Sequence, residues 1–249
     1  MRVAEHVEVL RHDGEQMAGA ARRAGLDAAV PTCPGWRVRD VLQHLGGVHR
    51  WAASYVATGR SQPFTETEEN RFFTVVADDS LIDWFVTGHR ALLDTLVGAA
   101  AATSCWTFLP APSPLAFWAR RQAHETAIHR ADTESALSTV PQWDARFAVD
   151  GIDELLTGFL VRRPQRIAAD PPVSIALSVT DLDAAWTIHI EPAGYRVVEG
   201  RHPATLTLTG SASDIYVLLW NRTGVDRLEV QGDPDALDTW RTGATVTWA

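Results

Sequence analysis

The run Arg120-Arg121-Gln122-Ala123-His124-Glu125-Thr126-Ala127-Ile128-His129-Arg130 places three side chains able to bind a metal close together. On a helix, Glu125 and His129 are four apart, so they share one face and can converge on one ion. His124 and His129 are five apart, about 140° around the helix, so they cannot serve as the two histidines of a His-Glu-x-x-His zinc site. A third ligand must come from another segment. His44, in Asp40-Val41-Leu42-Gln43-His44-Leu45-Gly46-Gly47-Val48-His49, is the best candidate, because the glycine pair beside it admits a neighbouring backbone or a ligand. Spacing also leaves His6, His12, His49, His89 and His124 open, and an ordinary solvated helix face has the same pattern.

Two imidazole nitrogens and one carboxylate suit zinc, with iron, nickel, cobalt and manganese chemically possible. Three protein ligands leave a position for water or substrate, which is the composition of a catalytic centre rather than a structural one. His49 lies about 140° from His44, and His124 about 100° from Glu125, so neither is placed to close the site. Asp40, one turn before His44, is expected to accept a hydrogen bond from a ligand imidazole.

These residues need helices to present them, and the first 140 residues read that way. Apolar positions recur at helical spacing over about 2–24, 36–59, 81–100 and 114–136, with Asp78-Asp79-Ser80 and Ser113-Pro114 as starting signals. Four such helices predict a four-helix bundle. The link over about 59–78 is long for a bundle turn and fits either a crossover or a cover for a site. The period then changes. A helix over about 143–163 precedes four alternating stretches, 174–179, 186–190, 195–198 and 205–208, and helices follow from Ala212 and after Asp233-Pro234. This grammar predicts an α+β protein of two domains, 1–140 and 141–249, the second an antiparallel sheet with helices on one side.

Composition narrows the function classes. The chain has 249 residues and a formal charge of −9, and its basic runs are simple pairs such as Arg120-Arg121 and Arg162-Arg163. No nucleic-acid or anionic-membrane partner is expected from that balance. Cys33 and Cys105 form no metal-binding spacing and no disulfide framework, which fits a reducing compartment. The charged first 24 residues are unlike a signal peptide, and no apolar run would span a bilayer, so a soluble cytoplasmic protein is expected. The ten tryptophans are expected mainly as core fillers.

The stretch Pro31-Thr32-Cys33-Pro34-Gly35-Trp36-Arg37-Val38-Arg39-Asp40-Val41-Leu42-Gln43-His44-Leu45 and the run His124 to Asp132 resemble the mycothiol-dependent maleylpyruvate isomerase family of the DinB-like metal-binding superfamily. That resemblance implies a DinB-like helical bundle holding a divalent metal, expected to be zinc, on His44, Glu125 and His129. It continues through Leu206 to Arg222 and Val230 to Pro234, implying a sterol-carrier-like C-terminal α+β domain. The family's cleft arginine falls on Arg222, although Asn221 stands where the family usually has glycine. The implied activity is activation of a low-molecular-weight thiol, mycothiol, for addition to a small electrophile, as an isomerase or an S-transferase. The thiol would be external, since Cys33 and Cys105 lie outside the ligand set. The rival from another class is a non-enzymatic module binding a small ligand or lipid, with a structural metal.

Overall fold

In the computed structural model, which describes residues 1–245, the chain forms two compact units, Met1–Pro141 and Gln142–Ala249. The first contains α1 (Val3–Ala24), α2 (Val38–Thr58), the short α3 (Glu66–Glu69), α4 (Asp78–Gly98) and α5 (Pro114–Ser135). Helix α1 packs on α4 and α5, and α2 packs on the same two. Their shared core includes Met17, Val41, Leu45, Leu81 and Phe85. No helix among the described residues is long and apolar enough to cross a membrane.

The second helix starts later than its apolar pattern suggests. Arg37 pairs with Ala29 in an isolated bridge, and Val30 N–H donates to Trp36 O at 2.9 Å. Gly35, at φ +88°, turns the chain between them. The Pro31–Trp36 stretch is thereby a closed turn ahead of α2, and its backbone is committed to itself.

Helix α5 is buried on nearly every side. Arg121, Gln122, His124, Glu125, Thr126, His129, Asp132 and Thr133 are all buried in it. Burying a polar group without a partner costs free energy, so such a helix must carry its partners with it. Ser113 caps its start, accepting from Ala116 N–H at 3.1 Å, and Pro114 occupies the first turn, where no donor is needed.

The long link proves to be partly ordered by its own side chains. Thr65 and Glu68 form a capping box around α3, and Arg60 pairs with Glu68 at 2.8 Å. Beyond α3, the Gln43 amide on α2 grips the link twice, donating to Thr74 O and accepting from Val76 N–H at 3.0 Å.

The second unit holds α6 (Ala145–Asp153), which widens into a π turn over Glu154–Phe159 and then a 3-10 turn over Leu160–Arg162. Strands β1 (Val173–Val179), β2 (Ala185–Glu191), β3 (Gly194–Glu199), β4 (Leu206–Gly210) and β5 (Glu229–Gly232) form one sheet in the order β3-β2-β1-β4-β5, with α7 (Ala212–Leu219) and α8 (Ala236–Gly243) beside it. The expectation of an antiparallel sheet is corrected here: β1 and β4 run parallel, with Leu177 opposite Leu208. The link after β3 returns across the sheet instead of turning back as a hairpin. Thr187 holds that link, donating to Gly200 O at 2.9 Å and accepting from His202 N–H at 3.0 Å. Strand β5 carries no alternation because all four of its residues are exposed.

Of the nine described tryptophans, five are buried in the core, Trp118 and Trp240 fully. Trp248 lies outside the described residues.

Candidate metal centre

Helix α2 brings His44 against the face of α5 that carries Glu125 and His129. One ligand atom from each of the three lies within 4.8 Å of the others. Oε1 of Glu125 is 3.6 Å from Nε2 of His44 and 3.4 Å from Nε2 of His129. Two ligands each about 2.1 Å from a tetrahedral ion stand about 3.4 Å apart, so the spacing suits one small cation. The two imidazoles meet edge to face, with centroids 5.0 Å apart.

The electrostatics of the cluster favour positive charge beside Glu125. Glu125 Oε2 accepts from Arg121 Nη2 at 3.3 Å, while its Oε1 is buried and has no hydrogen bond. Burial alone would push the Glu125 carboxyl up. The neighbouring His129 and His44 imidazoles and the Arg121 charge outweigh it and hold the group well below the usual carboxylate range. Burial lowers His44, favouring the neutral imidazole. Burial opposes a charge on His129 too, but Asp132 and Glu125 raise it to about 9. An ionised carboxylate in this place requires positive charge nearby. A proton on His129 supplies one, and a cation among the three ligand atoms supplies another.

Asp40 does not take the role expected of it. Its carboxylate accepts from Arg37 N–H at 2.7 Å and so caps α2. The carboxylate that holds one of these imidazoles is Asp132, whose Oδ2 is 2.9 Å from Nδ1 of His129. An ionised carboxylate only accepts, so Nδ1 carries a proton, and a cation that displaced the second proton would find the lone pair of Nε2. Asp132 lies three residues after His129 on the same helix face, a spacing visible in the sequence. Arg121, one turn before Glu125, is equally visible.

The glycine pair admits neighbouring side chains and, at Gly47, the backbone oxygen of Phe72. A Cβ on Gly46 would lie 2.1 Å from the Trp84 ring, and one on Gly47 2.5 Å from Phe73. Phe73, from the link, stacks on His44 with centroids 6.3 Å apart, and Trp36 meets it edge-on at 5.5 Å. An open cleft of about 430 Å³ lies beside His44, lined by Gly35, Trp36, Asp40, Gln43, His44 and Phe73. Trp36 is thus a tryptophan that walls a site as well as filling space.

The other histidines stand elsewhere. His49 is buried with Nε2 2.9 Å from Thr126 Oγ1, His89 is 2.9 Å from Leu10 O, and His124 sits against His6 with ring centroids 6.0 Å apart. His12 is exposed. Both cysteines are free thiols. Arg222, in the second unit, follows α7 and donates from Nη1 to Trp220 O at 2.8 Å. Asn221 before it adopts φ +60°, the left-handed conformation that glycine would take at this helix end.

Residues 7–134 match the mycothiol maleylpyruvate isomerase N-terminal domain, and residues 146–239 match the MDMPI C-terminal domain. Two crystal structures share the fold: the mycothiol-dependent maleylpyruvate isomerase and a histidine-to-alanine mutant of it. Their TM-scores are 0.63 and 0.64, at 12% identity, and each alignment covers 92% of this chain and 93% of theirs. At that identity the likeness is one of fold. Comparison with curated proteins gives no match.

Proposed function

Because this chain belongs to the mycothiol maleylpyruvate isomerase family through both of its domains, we propose that it is a thiol-dependent enzyme, with mycothiol as cosubstrate, acting on a small electrophile as a cis-trans isomerase or S-transferase. The observation that carries this reading is the convergence of His44 Nε2, Glu125 Oε1 and His129 Nε2 beside an open cleft. A buried carboxylate oxygen without a hydrogen bond, flanked by two imidazole nitrogens, fits a divalent cation such as zinc. Bound there, the cation supplies Lewis acidity and lowers the pKa of a thiol that reaches it.

The chain's own groups prepare the rest. Asp132 fixes the His129 tautomer, and Arg121 orients Glu125. Trp36 and Phe73 wall the approach to His44 and reduce its access to water. In the isomerisation, the thiolate sulfur adds to a carbon of a double bond conjugated with a carbonyl, and the π pair moves to the carbonyl oxygen. The bond left single rotates, and elimination of the same thiolate restores the double bond as the trans isomer. In an S-transfer, the carbanion takes a proton and the thioether stays. Arg222 is the proposed cation for the charge that develops on oxygen, a role resting on its sequence match.

The test is purified zinc-loaded protein with mycothiol and a panel of electrophiles that includes maleylpyruvate. Isomerisation or thiol consumption that disappears on chelation supports the reading. No turnover of any electrophile, or metal-free protein that copurifies with lipid, overturns it.

A further inference from the structure

The turn that precedes α2 reaches the centre from behind. Thr32 Oγ1 donates to Asp132 Oδ1 at 2.7 Å, and Asp132 Oδ2 is 2.9 Å from His129 Nδ1. Asp132 is fully buried, so its two oxygens have no bulk water to share. Ser135 closes the same corner, donating to Asp132 O at 2.7 Å. The turn is itself closed by Val30 N–H to Trp36 O, so Thr32 is offered from a fixed piece of backbone. The two carboxylate oxygens therefore have separate tasks: one receives the turn and the other holds the ligand imidazole.

We infer that Thr32 and Asp132 form a positioning relay that sets the metal affinity of His129, with neither residue touching the ion. The inference rests on the reading of His44, Glu125 and His129 as the metal ligands. Its physical content is threefold. The Asp132 charge makes His129 Nε2 a stronger donor by holding the proton on Nδ1. The hydrogen bond fixes the imidazole plane, so less rotational freedom is lost on binding. Thr32 keeps the carboxylate from turning away, and it does so from the same turn that supplies Trp36 to the cleft wall.

Asp132→Asn separates charge from shape. The amide oxygen still accepts from Nδ1, and the amide nitrogen can donate to Thr32. Thr32→Val removes the hydroxyl at nearly constant volume, and Thr32→Ser restores it. The experiment titrates zinc into the chelated full-length proteins against a competing chelator, with cobalt absorption spectra as a second readout and circular dichroism as the check on fold. Asp132→Asn is expected to weaken zinc binding about 10–100-fold and change the cobalt spectrum. Thr32→Val should weaken it less, and Thr32→Ser should bind like the parent. A purely structural role for Thr32 would show as lost helicity in Thr32→Val with unchanged affinity in the folded fraction, and that overturns the relay. Parental affinity in both Asp132→Asn and Thr32→Val also overturns it, leaving the metal reading intact. A parent protein that binds no zinc removes the metal reading and the relay with it.

Discussion

Oε1 of Glu125 lies 3.4 Å from Nε2 of His129, is buried, and accepts no hydrogen bond. Leaving a buried acceptor unsatisfied costs about 1–3 kcal/mol, and more when it is charged. A bound cation would offset that cost, which makes Glu125 the most informative of the three proposed ligands to change. Glu125→Gln keeps the volume and removes the charge. Elemental analysis should find stoichiometric zinc in the parent and none retained by the variant, with the far-ultraviolet dichroism of both the same. Full zinc occupancy in the folded variant would contradict the ligand assignment.

Gly47 gives a second test, directed at the cleft. A Cβ there would meet Phe73 Cδ1 at 2.5 Å and Phe72 O at 3.0 Å, so the link must move away from α2. Phe73 stacks on His44 and lines the cleft, whereas Gly47 is not among the cleft's lining residues. Gly47→Ala should keep its zinc and raise KM for the electrophile several-fold, with a smaller change in kcat. Steady-state kinetics on metal-replete protein check this. A parental KM would show that the Phe73 wall does not shape binding.

The sequence makes the helical half and the Glu125–His129 pair legible for one reason: both depend on local spacing. The four long helices follow from the apolar period, and the pair follows from a separation of four. Thr32 and Asp132 are 100 residues apart, and no period links a turn residue to a helix residue across that distance. Asp40 shows the opposite difficulty. It stands one turn from His44, but the free N–H groups at the start of α2 compete for its carboxylate, and Arg37 N–H wins. The parallel pairing of β1 with β4 was hidden too, because alternation reports the two faces of a strand and not its neighbours.

Acid should weaken the first unit through two histidines outside the His44, Glu125 and His129 cluster. Burial holds His89 below its ordinary value and His49 well below it. Both are neutral when folded, while the unfolded chain protonates them near pH 6.5. The unfolded state therefore binds more protons in the window from about 6.5 down to the folded values, and stability falls as pH drops through it. Each histidine contributes up to about 1.4 kcal/mol per pH unit. His89→Gln retains a donor for Leu10 O and should flatten the dependence. Urea unfolding of chelated protein between pH 7 and pH 5 measures it, and equal slopes for parent and variant would exclude His89 as a source.

The end of α7 yields the last prediction, from a non-glycine residue held in the left-handed region. Asn221 N–H donates to Leu218 O at 2.8 Å and Arg222 N–H to Val217 O at 2.9 Å, the paired bonds of a helix terminated in the left-handed region. Asn221 adopts φ +60°, which a residue with a Cβ rarely does, although asparagine tolerates it best after glycine. Its side chain adds a donor to Arg241 O at 3.2 Å, near the end of α8. The turn that glycine would form is therefore kept, with an extra side-chain tie, from Nδ2 to Arg241 O and Ala244 O, that glycine could not make. Asn221→Gly relieves the backbone but gives up that tie, so it should change stability by only a few tenths of a kcal/mol. Asn221→Ala keeps the backbone cost and loses the tie, and should cost about 1–2 kcal/mol. Chemical denaturation of both variants decides between the accounts. If the alanine variant is as stable as the glycine variant, the left-handed turn does not set the chain direction into Arg222.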